Sequence, residues 1–119
     1  MHHLKEIKLW HKAIELSIRI YKIVSTFPLD EKYGLISQIK RASISIASNI
    51  AEGAGRNSIN EFIHFLGIAN GSSYELLTQI VIANKLALIA DDEAKRICEQ
   101  IEELQKMNYG FQKRLKNKI

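Results

Sequence analysis

Residues 33–79 read YGLISQIKRASISIASNIAEGAGRNSINEFIHFLGIANGSSYELLTQ, and the turn Gly53-Ala54-Gly55-Arg56 within them decides the fold. Before the turn, Leu35, Ile39, Ala42, Ile46, Ala47 and Ile50 recur every three or four residues, with Ile36, Ser43 and Ala51 beside them. That period is the buried stripe of an amphipathic helix. Ala42, Ser43, Ser45, Ala47, Ser48 and Ala51 make the helix rich in small side chains, so neighbours can approach it closely from more than one direction. Gly53 stands where a C-cap is expected, because glycine takes φ > 0 without steric cost. After the turn, Ser58-Ile59-Asn60-Glu61 spells a capping box: the Ser58 hydroxyl serves the Glu61 amide, and the Glu61 carboxylate reaches back to the Ser58 amide. The helix it opens carries a stripe of Phe62, Ile63, Leu66, Ala69, Ser73, Leu76, Leu77, Ile80, Val81 and Asn84. Phe65, Ile68, Ile82 and Ala83 lie off that stripe. Apolar residues on extra faces of so small a domain call for a further surface to bury against, and another copy of the chain is the simplest one.

Working outward, Lys5 to Thr26 forms another helical segment. Ile7, Trp10, Ala13, Ile14, Ser17, Tyr21 and Val24 make its stripe, widened by Leu16, Ile20, Ile23 and Phe27. Lys5, Lys8, Lys12, Glu15, Arg19 and Lys22 fill the opposite face, giving a basic line about 25 Å long at the helical rise. Such a line is either a solvated face or a contact for phosphates. Phe27-Pro28 ends the helix, since proline pushes its predecessor out of helical geometry. Asp30 and Glu31 favour the positive end of the next helix, whose first turn Gly34 loosens. On the other side, Leu88-Ile89-Ala90 turns the chain and Asp91 or Asp92 caps a last helix. Ala94, Ile97, Cys98, Ile101, Leu104, Asn108, Phe111 and Leu115 mark its buried stripe. Its acids come first and Lys113, Arg114, Lys116 and Lys118 last, an order that suits the helix dipole and explains most of that basic end without a ligand. Helices at about 5–26, 31–53, 58–86 and 91–117, with short connections, predict one all-α domain: an antiparallel up-down-up-down four-helix bundle.

The composition agrees. A chain of 119 residues, 46% hydrophobic with one proline, is one domain in size and too apolar for disorder. Its net charge of +4 is compatible with nucleic acid or another anionic surface. The single cysteine, Cys98, excludes an internal disulfide and fits a reducing cytoplasm. No apolar run is long enough for a membrane span, and the first residues lack the order of a secretory signal.

Signals for catalysis are sparse. The glycines at the turn follow a helix, not a strand, so they make no phosphate-binding fingerprint. His11 and His64 lack partners at ligand spacing, and no cofactor or metal is implied. Cys98 falls on an apolar stripe, as an inert thiol does. Glu52, Glu61 and Glu75 suggest paired carboxylates, but capping and an i,i+4 pair of Glu52 with Arg56 account for two of them. Tyr21, Tyr33, Tyr74 and Tyr109 form no stacking platform along the sequence.

One pattern is more specific. Phe27-Pro28, Glu31, Tyr33-Gly34-Leu35, Gln38, Lys40-Arg41-Ala42, Ser48-Asn49-Ile50-Ala51-Glu52-Gly53 and Arg56 resemble the bacterial 23S rRNA-intervening-sequence proteins, usually called four helix bundle proteins. Trp10, Ala13 and Ile20-Tyr21 match upstream; Phe65-Leu66, Ile68-Ala69, Gly71-Ser72, Glu75-Leu76 and Thr78-Gln79 match downstream, so the resemblance spans roughly Leu9 to Leu88. The chain departs from that pattern at Ala47, where the family usually has proline, and at Lys40-Arg41, where it usually has two arginines. The resemblance implies a four-helix protomer assembled as a ring-like homopentamer. The family is also similar to accessory proteins of diversity-generating retroelements, basic pentamers that bind a reverse transcriptase together with nucleic acid. By that similarity Lys40, Arg41 and Arg56 are the leading contacts, with Lys5, Lys8, Lys12, Arg19 and Lys22 second.

The expected function is therefore a non-enzymatic oligomeric module that binds RNA or DNA through phosphates, favouring structured RNA by shape and charge. The alternative is a scaffold that holds a protein partner such as a reverse transcriptase or polymerase. An enzyme using Glu52, Glu61 or Glu75 is a third, weaker reading.

Overall fold

Four apolar stripes of helical period must cover one another, and short connections leave them one way to do so. A computed structural model describes residues 2–119, apart from the side chains of Glu31, Lys32 and Tyr33. The dipole role of Glu31 and the family match at Tyr33 thus lie outside the described residues. The helices are α1 (Lys8–Val24), α2 (Ser37–Ala54), α3 (Ile59–Lys85) and α4 (Asp91–Lys116). Four residues between α2 and α3 and five between α3 and α4 span at most about 14–18 Å, too short to carry the chain back along a helix, so these three run antiparallel in turn. α1 is antiparallel to α4, its start beside the end of α4 and Arg19 beside Glu93. α2 lies between α1 and α3, α4 between α3 and α1, in a body 47 × 24 × 20 Å. Among the described residues there is no strand, and no helix is long and apolar enough to cross a membrane.

The core is a column of Leu16, Ile20, Ile39, Ile50, Phe62, Leu66, Leu76, Ile80, Ile97, Ile101 and Leu115, all fully buried. Along α1 the buried line is Leu9, Ala13, Leu16, Ile20 and Val24, not the expected one through Trp10, Ile14 and Tyr21. Two adjacent rows of α1 are apolar, and periodicity alone does not say which faces inward. The losing row leaves Ile18 52% and Tyr21 38% exposed. In α3, Val81 is exposed where burial is expected, and Gln79 and Ala83 are buried instead. The small residues of α2 do admit neighbours on two sides: Ser17 Oγ donates to the Ser43 carbonyl at 2.9 Å, and the Ser45 and Ser72 hydroxyls meet at 2.8 Å.

The helix ends depart from expectation in ways that matter below. α1 begins at Lys8, because Leu4–Glu6 form a separate 3₁₀ turn and Ile7 is extended. It stops at Val24, where the Ser25 and Thr26 hydroxyls take the Lys22 and Ile23 carbonyls. Gly34, at φ −102° and ψ −105°, breaks the entry to α2, so a π-helical turn, Lys32–Ile36, precedes it. α2 runs uninterrupted through Ala47. Gly53 is not a left-handed cap: it is a buried residue of α2, and Gly55 caps with φ −82°. A Cβ on Gly53 would lie 2.8 Å from Phe62 Cδ1 and 2.8 Å from Phe65 Cβ, so the glycine is there for close approach of α3. The left-handed residue among those described is Ala87, φ 64°, at the end of α3. Its amide bonds to the Asn84 carbonyl, and the Leu88 amide to that of Ala83, both at 2.9 Å, which is a Schellman closure with alanine in the glycine position.

α4 likewise starts otherwise than expected. Its N-cap is Ala90, with no side-chain cap, and Asp91 is already helical. Within the first turn the Glu93 amide donates to Asp92 Oδ1 at 3.0 Å, and Asn84 ties the turn from α3, donating to the Ile89 carbonyl at 3.0 Å and to Asp91 Oδ1 at 2.8 Å.

Candidate nucleic-acid interface

The bundle sorts its cations by what they touch. Arg19 is fixed in the seam between α1 and α4: Nη2 donates to Glu93 Oε2 at 2.8 Å and Nη1 to Gln100 Oε1 at 3.0 Å. Arg96 holds the other Glu93 oxygen at 3.0 Å. The hydrogen bond from Arg19, then that from Arg96, keeps the Glu93 carboxyl below its ordinary range. Arg19 is thereby a tie between helices, not a free phosphate contact. Beside it, Lys12, Glu15, Glu99 and Glu103 help line a groove of about 440 Å3 whose charges are mixed.

Arg56 is also engaged. Its guanidinium stands 3.8 Å from Glu52 and 4.0 Å from Glu61, with Cζ 4.6 Å over the Phe65 ring. The expected i,i+4 pair is present, and a second carboxylate is added to it. Half of the capping box has the expected form, the Glu61 amide donating to Ser58 Oγ at 3.1 Å. The Glu61 carboxylate, however, meets the Ser58 hydroxyl at 3.4 Å, not the Ser58 amide. Glu75 lies fourteen residues along α3 from Glu61, about 21 Å at the helical rise, so the three carboxylates do not converge.

Lys40 and Arg41 sit near the start of α2, about 22 Å along the bundle from Arg56. The three leading residues therefore do not form one patch within a protomer. Lys40 Nζ stands 4.9 Å over the Tyr21 ring, which puts Lys22 at the same end. Arg41 is exposed in an outer row with Ile44, Ser48 and Glu52.

The opposite end gathers the remainder. The first turns of α1 meet the last turns of α4 around a groove of about 500 Å3, with an apolar floor of Ile7, Leu9, Met107 and Phe111. Lys8, Lys106 and Arg114 stand at its edges with one acid, Glu6. Phe62 lies beneath this end, edge-on to Phe111 at 5.4 Å and met by the tilted His2 ring at 4.8 Å. Lys5 and Lys12 extend this end along α1; Lys113, Lys116 and Lys118 extend it along α4 and are exposed. Among the described residues none of these lysines has a carboxylate within 4 Å, whereas all five ion pairs use arginine. Arg19, Arg56 and Arg96 spend their forks on carboxylates, whereas Arg41 and Arg114 are exposed and make no ion pair among the described residues.

Sequence reasoning missed one grouping. Tyr74 of α3 and Tyr109 of α4, 55% and 70% exposed, line one groove of about 540 Å3 with Asn70, Glu102, Gln105 and Lys106. A signal was present: Lys106, Lys113 and Lys116 stand three before, four after and seven after Tyr109, all on one face. The Cys98 thiol is half-buried, and burial, with the nearby Glu102 charge, raises its pKa, the opposite of an activated nucleophile. Among the described residues no three His, Cys, Asp or Glu side chains converge as a metal site would need.

Residues 5–110 match the family described as 23S rRNA-intervening sequence protein. A similar solved structure is that of a protein with unknown function from the S23 ribosomal protein family of Bacteroides thetaiotaomicron. It superposes with a TM-score of 0.78 at 24% identity, over 88% of this chain and 98% of that one, a likeness that speaks for the fold alone. No curated protein matches.

Proposed function

The chain belongs to the 23S rRNA-intervening sequence protein family, and from that premise we propose that it is a non-enzymatic oligomeric module that binds RNA or other nucleic acid through phosphates. The observation that carries this reading is the cationic end, where Lys8, Lys106 and Arg114 edge one groove with Glu6 as its acid, Lys113 and Lys116 line the hollow beside Tyr109, and Lys5 and Lys118 are exposed on the adjoining turns. Ammonium groups without carboxylate partners are the ones free to displace counterions from a phosphate backbone. Lys40, Arg41 and Lys22 form a second, smaller cluster at the far end, and Arg56 and Arg19 contribute chiefly to the fold.

Self-association supplies the rest. Ile18, Tyr21, Ile44, Ile68 and Ile82 are exposed on α1, α2 and α3, on the side where α2 is the middle helix. Large apolar side chains spread over one side of a small bundle fit a second copy of the chain, in keeping with the ring-like homopentamer that the family resemblance implies. A ring repeats each cationic end about its axis, which turns modest charge per chain into a multivalent field.

The test is binding of an RNA hairpin across a salt series, on protein whose mass in solution is known. Wild type is expected to be a multimer whose affinity falls log-linearly with salt, by about 0.7–0.9 per phosphate contact. Lys113→Ala/Arg114→Ala/Lys116→Ala should cost more than tenfold in affinity and flatten the slope; Lys40→Ala/Arg41→Ala should cost less. A monomeric mass, or no binding at low salt, would overturn the reading. A stoichiometric protein partner in its place would favour the scaffold alternative, with the apolar side as its seat.

A further inference from the structure

Exposed tyrosines in a groove call for an occupant. α3 and α4 run antiparallel with Gln105 Nε2 donating to Ser73 Oγ at 3.0 Å and Asn108 Nδ2 to the Leu66 carbonyl at 3.0 Å. In that register Asn70 and Gln105 stand roughly level, with Tyr74 about one turn beyond them toward the end of α3 and Tyr109 about one turn beyond them toward the end of α4. The groove therefore sets two amides side by side, with an aromatic ring about one turn away on either side. Lys106 stands at one side of it and also edges the cationic groove. Tyr109 also lines a small hollow with Lys113 and Lys116. Glu102 is the one acid on the groove, so negative charge is best received at the lysine side.

We infer that this groove seats unpaired nucleobases of a single-stranded stretch, a deepening that rests on the nucleic-acid reading above. The rings take the base faces, and the amides of Asn70 and Gln105 meet base edges with both donors and acceptors. Lys106 and Lys113 hold the flanking phosphates. Rings with flanking cations suit single strands, whose bases are free to leave the stack, and not duplexes, whose bases are enclosed. The tyrosines also account for selectivity that lysines alone cannot give: a loop bound here is held by its bases, while its stem is held by charge.

The experiment compares two RNA hairpins with the same stem, one with an eight-nucleotide uridine loop and one with abasic sites throughout that loop. Wild type should bind the uridine loop about tenfold more tightly, the scale of alanine effects on base stacking. Tyr74→Leu/Tyr109→Leu should bind both hairpins alike with the salt slope unchanged, and Tyr74→Phe/Tyr109→Phe should keep the preference, since the ring is what acts. Both positions are exposed, so folding is not at risk, and circular dichroism checks it. Equal binding of both hairpins by wild type, or a preference that survives the leucine pair, overturns the inference and leaves the charge reading intact. A change of oligomeric mass in the leucine pair would instead make the groove an interface between copies and overturn it as well. Loss of all binding in wild type would remove both readings.

Discussion

The two turns that flank α3 solve the same problem, ending one helix and starting the next, with opposite materials. At the α2–α3 turn a side-chain cap from Ser58 opens the helix, and Gly53 lets Phe62 and Phe65 press against the α2 backbone. Arg56 then locks the corner between two carboxylates and a ring. At the α3–α4 turn the N-cap position holds an alanine with no side-chain cap, Asn84 reaches back from α3, and the chain reverses through a left-handed alanine. The first turn is closed by packing, the second by backbone geometry. Glycine content misleads at both: a glycine marks the turn with no positive φ, and the turn that has one uses alanine.

Exchanging the small residues should therefore act with opposite signs. The largest effect is expected from Gly53→Ala, whose methyl group would meet backbone as well as ring atoms, the Phe62 carbonyl oxygen lying 3.2 Å away. Overpacking of this kind destabilises by about 2 kcal/mol, to be read from urea unfolding. An unchanged midpoint would mean the two helices are not held as closely as described. Next, Ala87→Gly should stabilise by about 1 kcal/mol, the relief of a left-handed Cβ less the entropy that glycine adds to the unfolded chain. A fall in stability would show that the Schellman closure tolerates alanine without strain. The smallest effect belongs to Glu93→Gln, about 0.5 kcal/mol, because the ion pair is partly exposed. A carboxyl held below its ordinary value of 4.5 contributes stability that is complete above that pH and fades as pH falls through the lower folded value. Wild type and Glu93→Gln should thus converge in stability when melts are run downward from pH 5, and a constant gap to pH 2 would remove the pair from the account.

How much of this was legible follows from what sequence can encode. Helix number and order come from periodicity and punctuation, and Pro28, Ser58 and the acids at 91–93 place the joints within a few residues. Which apolar row of α1 is buried does not come from periodicity, because both rows satisfy it; only α2 and α4 choose between them. The site was harder. Lys40, Arg41 and Arg56 are close in sequence and share a family pattern, but a helix between them holds them apart along its axis. Lys8 and Arg114, 106 positions apart in the chain, line the same groove because an even number of antiparallel helices returns the last end to the first. Tyr74 and Tyr109 were invisible as a pair for the same reason: they belong to different helices, and only the packing of α3 on α4 brings them to one groove.

The seam between α1 and α4 has a kinetic meaning. Its hydrogen bonds join residues 74 and 81 positions apart, while the other helix pairs are neighbours in the chain and can form locally. Contacts that close a long loop are the slow ones to make, so α2, α3 and α4 can assemble before α1 is latched in place. A latch absent from the transition state governs how fast the bundle opens and leaves the speed of folding untouched. The Glu93→Gln change should then appear in the unfolding arm of a chevron plot, with the folding arm superposed on that of wild type. In the multimer proposed above, the same seam would time how long each protomer stays closed before it meets the next.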